Sequence, residues 1–290
     1  MTDPVVFWPG FLGVVFFVAG IITYWGDFRA SRRGPFAIAA FGPAFVGAAL
    51  AAFAGEHFTS TAPIASAVPK FLPAHMFFAY LVGVAHLAAA LSFVARRYVK
   101  FSAPSLALMF LIFVLLMDLP AAFAHPTERM RWSLAARQAT FSMGALALFA
   151  STTLAANPQR AAMVARIARF WAAAVLIFYG IENVLFPQFT PGVPDLIRTP
   201  PGVPIPMLIT AVTGVLLVFC GAAMFWAKFA SVGAAGCGLV MTLLTAAIYL
   251  PQWFIVSGQA AQLNAINFVF DTLLFGGTTF IIGNTIGKTQ

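Results

Sequence analysis

Charge is what this chain has least of. Only 8% of its 290 residues are Asp, Glu, Lys or Arg and 61% are hydrophobic, whereas an ordinary soluble domain carries roughly 25% charged residues. That composition excludes a soluble globular domain. Cysteine is scarcer still in number. With Cys220 and Cys237 alone there is no CxxC pair, no haem-attachment motif and no iron–sulfur ligand set, and no glycine-rich nucleotide fingerprint is present. Both thiols fall about 10 Å inside apolar stretches at 1.5 Å per residue, where inert packing is the expectation. Acidic residues number eight and histidines four, so any proton chemistry rests on few groups.

Long apolar runs are what the chain has in place of charge. A membrane span needs about 20 of them, which places helices near 5–25, 35–58, 73–95, 101–123, 133–155, 166–186, 205–227, 230–254 and 261–283. In lipid only helices or closed barrels satisfy the backbone, and the continuous Leu, Ala, Val and Phe runs lack the alternation of barrel strands. The expectation is an all-α polytopic membrane protein of about nine transmembrane helices. The first run has no basic residue before it and is too long for a signal-peptide core.

The net charge of +8 marks orientation. With these spans, one side collects 11 basic residues (Arg29, Arg32, Arg33, Arg96, Arg97, Lys100, Arg160, Arg166, Arg169, Lys228, Lys288) and the other 5 (Lys70, Arg129, Arg131, Arg137, Arg198). The positive-inside rule then sets the N-terminus outside and the C-terminus in the cytoplasm of a cell membrane. No nucleic-acid partner is implied. Trp8, Trp25, Trp132, Trp171, Trp226 and Trp253 fall near span ends, the interfacial belt position.

Eight of the nine spans read as one four-helix unit written twice. At an offset of 131 residues, Pro69 answers Pro200, Pro73 answers Pro204, Gly83 answers Gly214, Leu119-Pro120 answers Leu250-Pro251, and Phe123 answers Phe254. Isolated prolines and glycines at one fixed offset mark an internal repeat. The chain divides into an N-terminal helix and basic turn (1–34), a first repeat (35–160) and a second (161–290). An even number of spans per repeat makes the two copies parallel, related by an axis along the membrane normal. Glu56 and Glu182, at offset 126, end the first helix of each copy. The second outer loop is therefore longer, and Pro187, Pro191, Pro194, Pro200, Pro201, Pro204 and Pro206 make it extended, either a cap over the bundle or a stiff connector.

Ionisable groups inside spans are functional candidates by default, because each costs on the order of 2.5–3.5 kcal/mol to insert. In the first copy Glu56, His57, His75, Asp118, His125 and Arg137 lie toward the outer end and His86 lies mid-span. His75 and His86, three helical turns apart, share a face. In the second copy Asn264, Asn267 and Asp271 form one stripe, with Glu182 a neighbour by repeat geometry. Polar groups at helix ends also cap termini and pair between helices. His57, His75, His125 and Glu56 have metal-binding side chains but no tight ligand spacing, so no metal site is expected.

The order Gly55-Glu56-His57-Phe58, a proline-bearing loop, Pro69 and Pro73, a helix centred on Gly83, the basic turn Arg96-Arg97 and a helix closing in Leu119-Pro120 resembles the DoxX family of four-helix membrane proteins. The resemblance covers about 35–155 and recurs more weakly over 166–283. The chain departs from the family pattern where many members have an acidic residue soon after the glycine of the second helix, here His86 and Leu217, and an Asn after the closing Pro-Ala, here Ala122 and Trp253. The resemblance implies a redox-associated subunit that binds a quinone or similar amphiphile and works with a membrane or periplasmic redox partner protein. In that reading Glu56, His75, His86 and Asp118 handle protons and the headgroup, and His57, Arg137, Glu182, Asn264, Asn267 and Asp271 bind ligand. The alternative is a non-enzymatic lipid or small-ligand binding protein, a transporter or a membrane assembly factor.

Overall fold

The structure, a computed structural model, describes residues 3–31, 34–199 and 202–289. Arg32 and Arg33 of the charge balance, and Pro200 and Pro201 of the proline-rich loop, lie outside the described residues. The described chain is helical almost throughout, and the protein is an all-α polytopic membrane protein.

Among the described residues, eight segments are long and apolar enough to cross a bilayer. These are α1 (Pro4–Ala30), a 3-10 turn running into α2 (Gly42–Thr59), α4 (His75–Ala95), α5 (Val99–Phe113) with its extension, α8 (Pro158–Leu185), α9 (Pro206–Ala223), α10 (Ala227–Leu244) with its extension, and α12 (Gln259–Thr289). A short helix, α3 (Thr61–Ala65), follows α2. The remaining long helix, α7 (Arg129–Thr153), has the 25 residues of a span but not the apolarity, because Arg129, Arg131, Arg137 and Gln138 occupy its first turns. Arg129 and Arg137 are turned toward carboxylates of the bundle.

Backbone punctuation recurs at the offset read from the sequence. Both α5 and α10 end in a five-residue π turn, Val114–Asp118 and Thr245–Tyr249, before short helices α6 (Leu119–Ala124) and α11 (Leu250–Ile255). Pro120 and Pro251 explain both. Proline has no N–H to give and its ring collides with the carbonyl four residues back, and one widened turn before it removes the conflict. The turn also re-aims its last residue, Asp118 or Tyr249. Likewise Ala74 and Ile205, just before α4 and α9, adopt left-handed φ values of 55° and 42°, again 131 residues apart.

Helix α2 packs on α4 and α5 on α7, as α8 packs on α9 and α10 on α12. The two groups meet through α2–α12, α7–α8 and α7–α12, and α1 lies against the outside of α2. The most buried spans are therefore α2 and α12. The loops 60–74, 125–128, 186–205 and 256–258 gather at one end, the loop end, and the basic turns at the other.

Candidate functional site

Below the loop end, α2, α4, α5, α7 and α12 line a cavity of about 390 Å³, within the roughly 300–1,000 Å³ of small-molecule sites. Glu56 and His57 enter it from the last turns of α2, Arg137 and Gln138 from α7, and Asn264, Asn267 and Asp271 from α12. His86 lines it about 16 Å along α4 and Asp271 about 18 Å along α12, counted from the loop end. Phe53, Phe110, Phe113, Phe141 and Phe268 make the apolar walls. The polar cluster of the first copy and the stripe of the second, separate in the sequence, thus face one space.

Polar contacts in that space cross between the two helix groups. Arg137 Nη1 meets Asp271 Oδ2 at 2.7 Å, with about a fifth of each side chain exposed. Asn267 Nδ2 also crosses, donating to Glu56 Oε1 at 3.3 Å, whereas His57 Nδ1–H donates within the first group, to the Ala79 carbonyl of α4 at 2.7 Å. His86 differs from all of them. It is only 5% exposed, its ring lies 5.3 Å from that of His57 and 6.1 Å from that of Phe110, and neither nitrogen has a hydrogen-bond partner. Gln138 Oε1 and Arg137 Nε are likewise buried and unpartnered. Leaving such groups unsatisfied costs about 1–3 kcal/mol each.

Three expected site residues stand elsewhere. Glu182 pairs with Arg129 at 2.5 Å, beneath a guanidinium stacked 4.4 Å from the Phe186 ring and 4.5 Å from the Phe189 ring. Asp118 ends its π turn half-buried, within the field of Arg137 but outside the cavity lining. His75 is the first residue of α4 and also lies outside. The face it shares with His86 is long enough to separate a helix end from a cavity floor. Among the described residues no group of three or more His, Cys, Asp or Glu side chains is placed to hold a metal ion.

No family model, curated protein or solved structure matches the chain. The chemistry of the site therefore rests on its own residues, and several of these carry no sequence signal strong enough to single them out. Asp195 adds a third carboxylate, and Thr190, Pro191, Val193 and Ile197 complete the roof with it. All five belong to the proline-rich loop, which caps the bundle with part of its length buried.

Residues 190–194 of that loop are buried, and buried backbone needs partners. Asn183 supplies both, its Nδ2 donating to the Gly192 carbonyl at 3.0 Å and its Oδ1 accepting from the Gly192 N–H at 3.2 Å. Tyr249 Oη donates to the Pro191 carbonyl at 2.5 Å, and Ser133 Oγ to the Pro194 carbonyl at 2.8 Å. Leu244 and Met241 close on Gly192 from the other side. Counted by the repeat offsets, Asn183 corresponds to His57, Met241 to Phe110, Leu244 to Phe113 and Tyr249 to Asp118. In the second copy these positions grip the chain's own loop; in the first, three of the four line open space.

Gly192 has φ of 97°, and a Cβ there would lie 3.0 Å from Leu244 Cδ1 and 3.2 Å from Met241 Sδ. Strain plus crowding in Gly192→Ala is expected to cost about 1–2 kcal/mol, a factor of roughly 5–30 in local opening. Tryptic cleavage after Arg198 should accelerate accordingly in the folded protein. An unchanged cleavage rate would show that the loop does not depend on this grip.

Proposed function

We propose that the chain is a DoxX-like membrane protein that holds the headgroup of a quinone or similar amphiphile in the loop-end cavity, as the ligand-binding subunit of a redox system. The observation that carries this reading is His86, a buried imidazole with two unpartnered nitrogens on an aromatic-walled cavity. A ligand carbonyl or hydroxyl would satisfy it, and the flat rings of Phe53 and Phe110 suit a planar headgroup. Gln138, Asn264 and Asn267 add amide groups around the same space. A bound quinone would supply two-electron, two-proton chemistry. The chain's own part would be to orient the headgroup at His86, exclude water with residues 190–197, and hold a proton at Glu56, whose one hydrogen bond comes from an uncharged amide. Electrons would come from a partner protein on the outer side of the cytoplasmic membrane, given an outside N-terminus.

The purified protein should retain quinone detectable by mass spectrometry of its organic extract, and should bind a short-chain quinone analogue. His86→Leu, close to isosteric and free of the orphaned nitrogens, should keep or raise the unfolding temperature while weakening that binding at least tenfold. Extracts with no quinone, together with equal analogue binding by wild type and variant, would sink the redox reading. A second reading has its own observation. The roof over the cavity is loop chain, residues 190–197, rather than helix, which suits a binding protein or carrier without turnover. Ligand exchange that persists with no oxidant or reductant present would favour it.

A further inference from the structure

A second binding place lies on the lipid-facing side, along the seam of α4 and α5. There the helices leave an apolar groove of about 780 Å³ walled by alanines and leucines, among them Ala85, Ala88, Ala89 and Leu106. It runs from Leu81 to Ala95 along α4, about 21 Å at 1.5 Å per residue, longer than the roughly 15 Å that one leaflet contributes to a 30 Å hydrocarbon core.

The matching seam of the second copy, between α9 and α10, is closed, and the reason is legible residue by residue. Gly233 and Gly236 stand there against Cys220, so close that a Cβ on Gly233 would fall 2.6 Å from the Cys220 carbonyl oxygen and one on Gly236 would fall 3.1 Å from its Sγ. At the offset of 131 the first copy has Ser102, Ser105 and Ala89. Two side chains replace hydrogen atoms on α5 while the residue opposite is smaller. The helices cannot approach as closely, and the space between them stays open to lipid. Ser102 Oγ is tied to Ser92 Oγ at 2.6 Å, and Ser92 Oγ donates to the Arg97 carbonyl at 2.5 Å, which braces the mouth of the groove.

That mouth is basic. Arg97 lines it, and Lys100 lies one turn away with its Nζ 5.0 Å from the ring of the groove residue Phe101. Arg96 is neutralised by Asp27 at 2.9 Å, but among the described residues no carboxylate pairs with Arg97 or Lys100. An apolar channel of acyl-chain length under two unneutralised cations matches one class of molecule. We infer that the α4–α5 seam is a specific site for an anionic phospholipid, its chain laid between the helices and its phosphate held by Arg97 and Lys100. The site is independent of the loop-end cavity and of any redox role.

The test is native mass spectrometry of the delipidated full chain titrated with phosphatidylglycerol or with phosphatidylcholine of the same acyl length. Wild type should bind one phosphatidylglycerol with at least tenfold preference. Arg97→Gln with Lys100→Gln should abolish the preference while leaving residual binding of both lipids. Ala88→Trp, which fills the groove from an exposed position, should lose the tight site for both. Circular dichroism and the unfolding temperature of each variant identify misfolded material, and Ala88→Leu is the milder replacement if the Trp variant fails to fold. Equal binding of the two lipids by wild type, or a filled groove that binds phosphatidylglycerol as before, overturns the assignment.

Discussion

Arg137→Leu should lower the stability of the protein by about 3–5 kcal/mol, the loss expected when one member of a buried ion pair is removed and the other left uncompensated. Arg137 and Asp271 meet at 2.7 Å with about four-fifths of each side chain out of solvent. They join α7 to α12, where the two helix groups touch. In the variant, the Asp271 carboxylate faces Glu56 and Asp195 across one cavity with no cation among the groups that line it. Asp271→Leu should be damaging for the mirror reason, a guanidinium left among aromatic rings. The double variant Arg137→Leu, Asp271→Leu should recover most of the loss, because an apolar pair of similar volume carries no desolvation cost. Unfolding midpoints of the four proteins in one detergent give the coupling. Additive losses, or single variants that melt with wild type, would mean that the pair is solvated and contributes little.

Gly214→Ala should be nearly as damaging, although it adds only a methyl group. Where α8 crosses α9, a Cβ on Gly214 would lie 2.6 Å from the Gly180 carbonyl oxygen, and one on Gly180 would lie 2.6 Å from the Gly214 oxygen. Both obstacles are backbone, so a methyl is accommodated only by moving a whole helix. Close packing between small residues is also the main attraction between helices in lipid, where no hydrophobic drive exists. The cost is expected at or above the upper end of the roughly 1–3 kcal/mol of core overpacking. Gly83→Ala, the same position in the first copy, meets His57 Cβ at 2.8 Å and Phe58 Cε1 at 2.9 Å. His57 Cβ is fixed by the α2 backbone but stands farther off than the oxygen at Gly214, and the partly exposed Phe58 ring can turn aside, so the cost there should be smaller. Comparing folded yield and unfolding midpoint of the two variants decides it, and equal losses would contradict this ranking of the two contacts.

Much of this architecture is legible in the sequence. Run length and scarcity of charge determined a helical membrane protein, and the repeat markers Pro120 and Pro251 stand just after π turns at 114–118 and 245–249 that no sequence pattern announced. The candidate residues were found by rarity, since an ionisable side chain stands out in an apolar span. Glu56, His57, His86, Arg137, Asn264, Asn267 and Asp271 line the cavity, whereas Glu182, His75 and Asp118 do not, because rarity identifies a group without saying which way it faces. Asp195 escaped notice because an acid in a proline-rich loop is ordinary by composition.

What the sequence by itself determined was therefore which segments are helical, where they are punctuated, and which few side chains are costly enough to need a reason. Only the tertiary structure decided which faces meet. In a soluble bundle the polar face of each helix points to water and orients it, but here lipid-facing and buried faces are equally apolar and carry no such instruction. Neighbours are chosen instead by the close fit of small side chains and by a few cross-helix polar contacts. That choice brought His86 and Asp271 into one cavity, drew Gly192 into the space that stays open in the first copy, and opened a groove at Ser102 and Ser105 where the second copy has Gly233 and Gly236 and is closed.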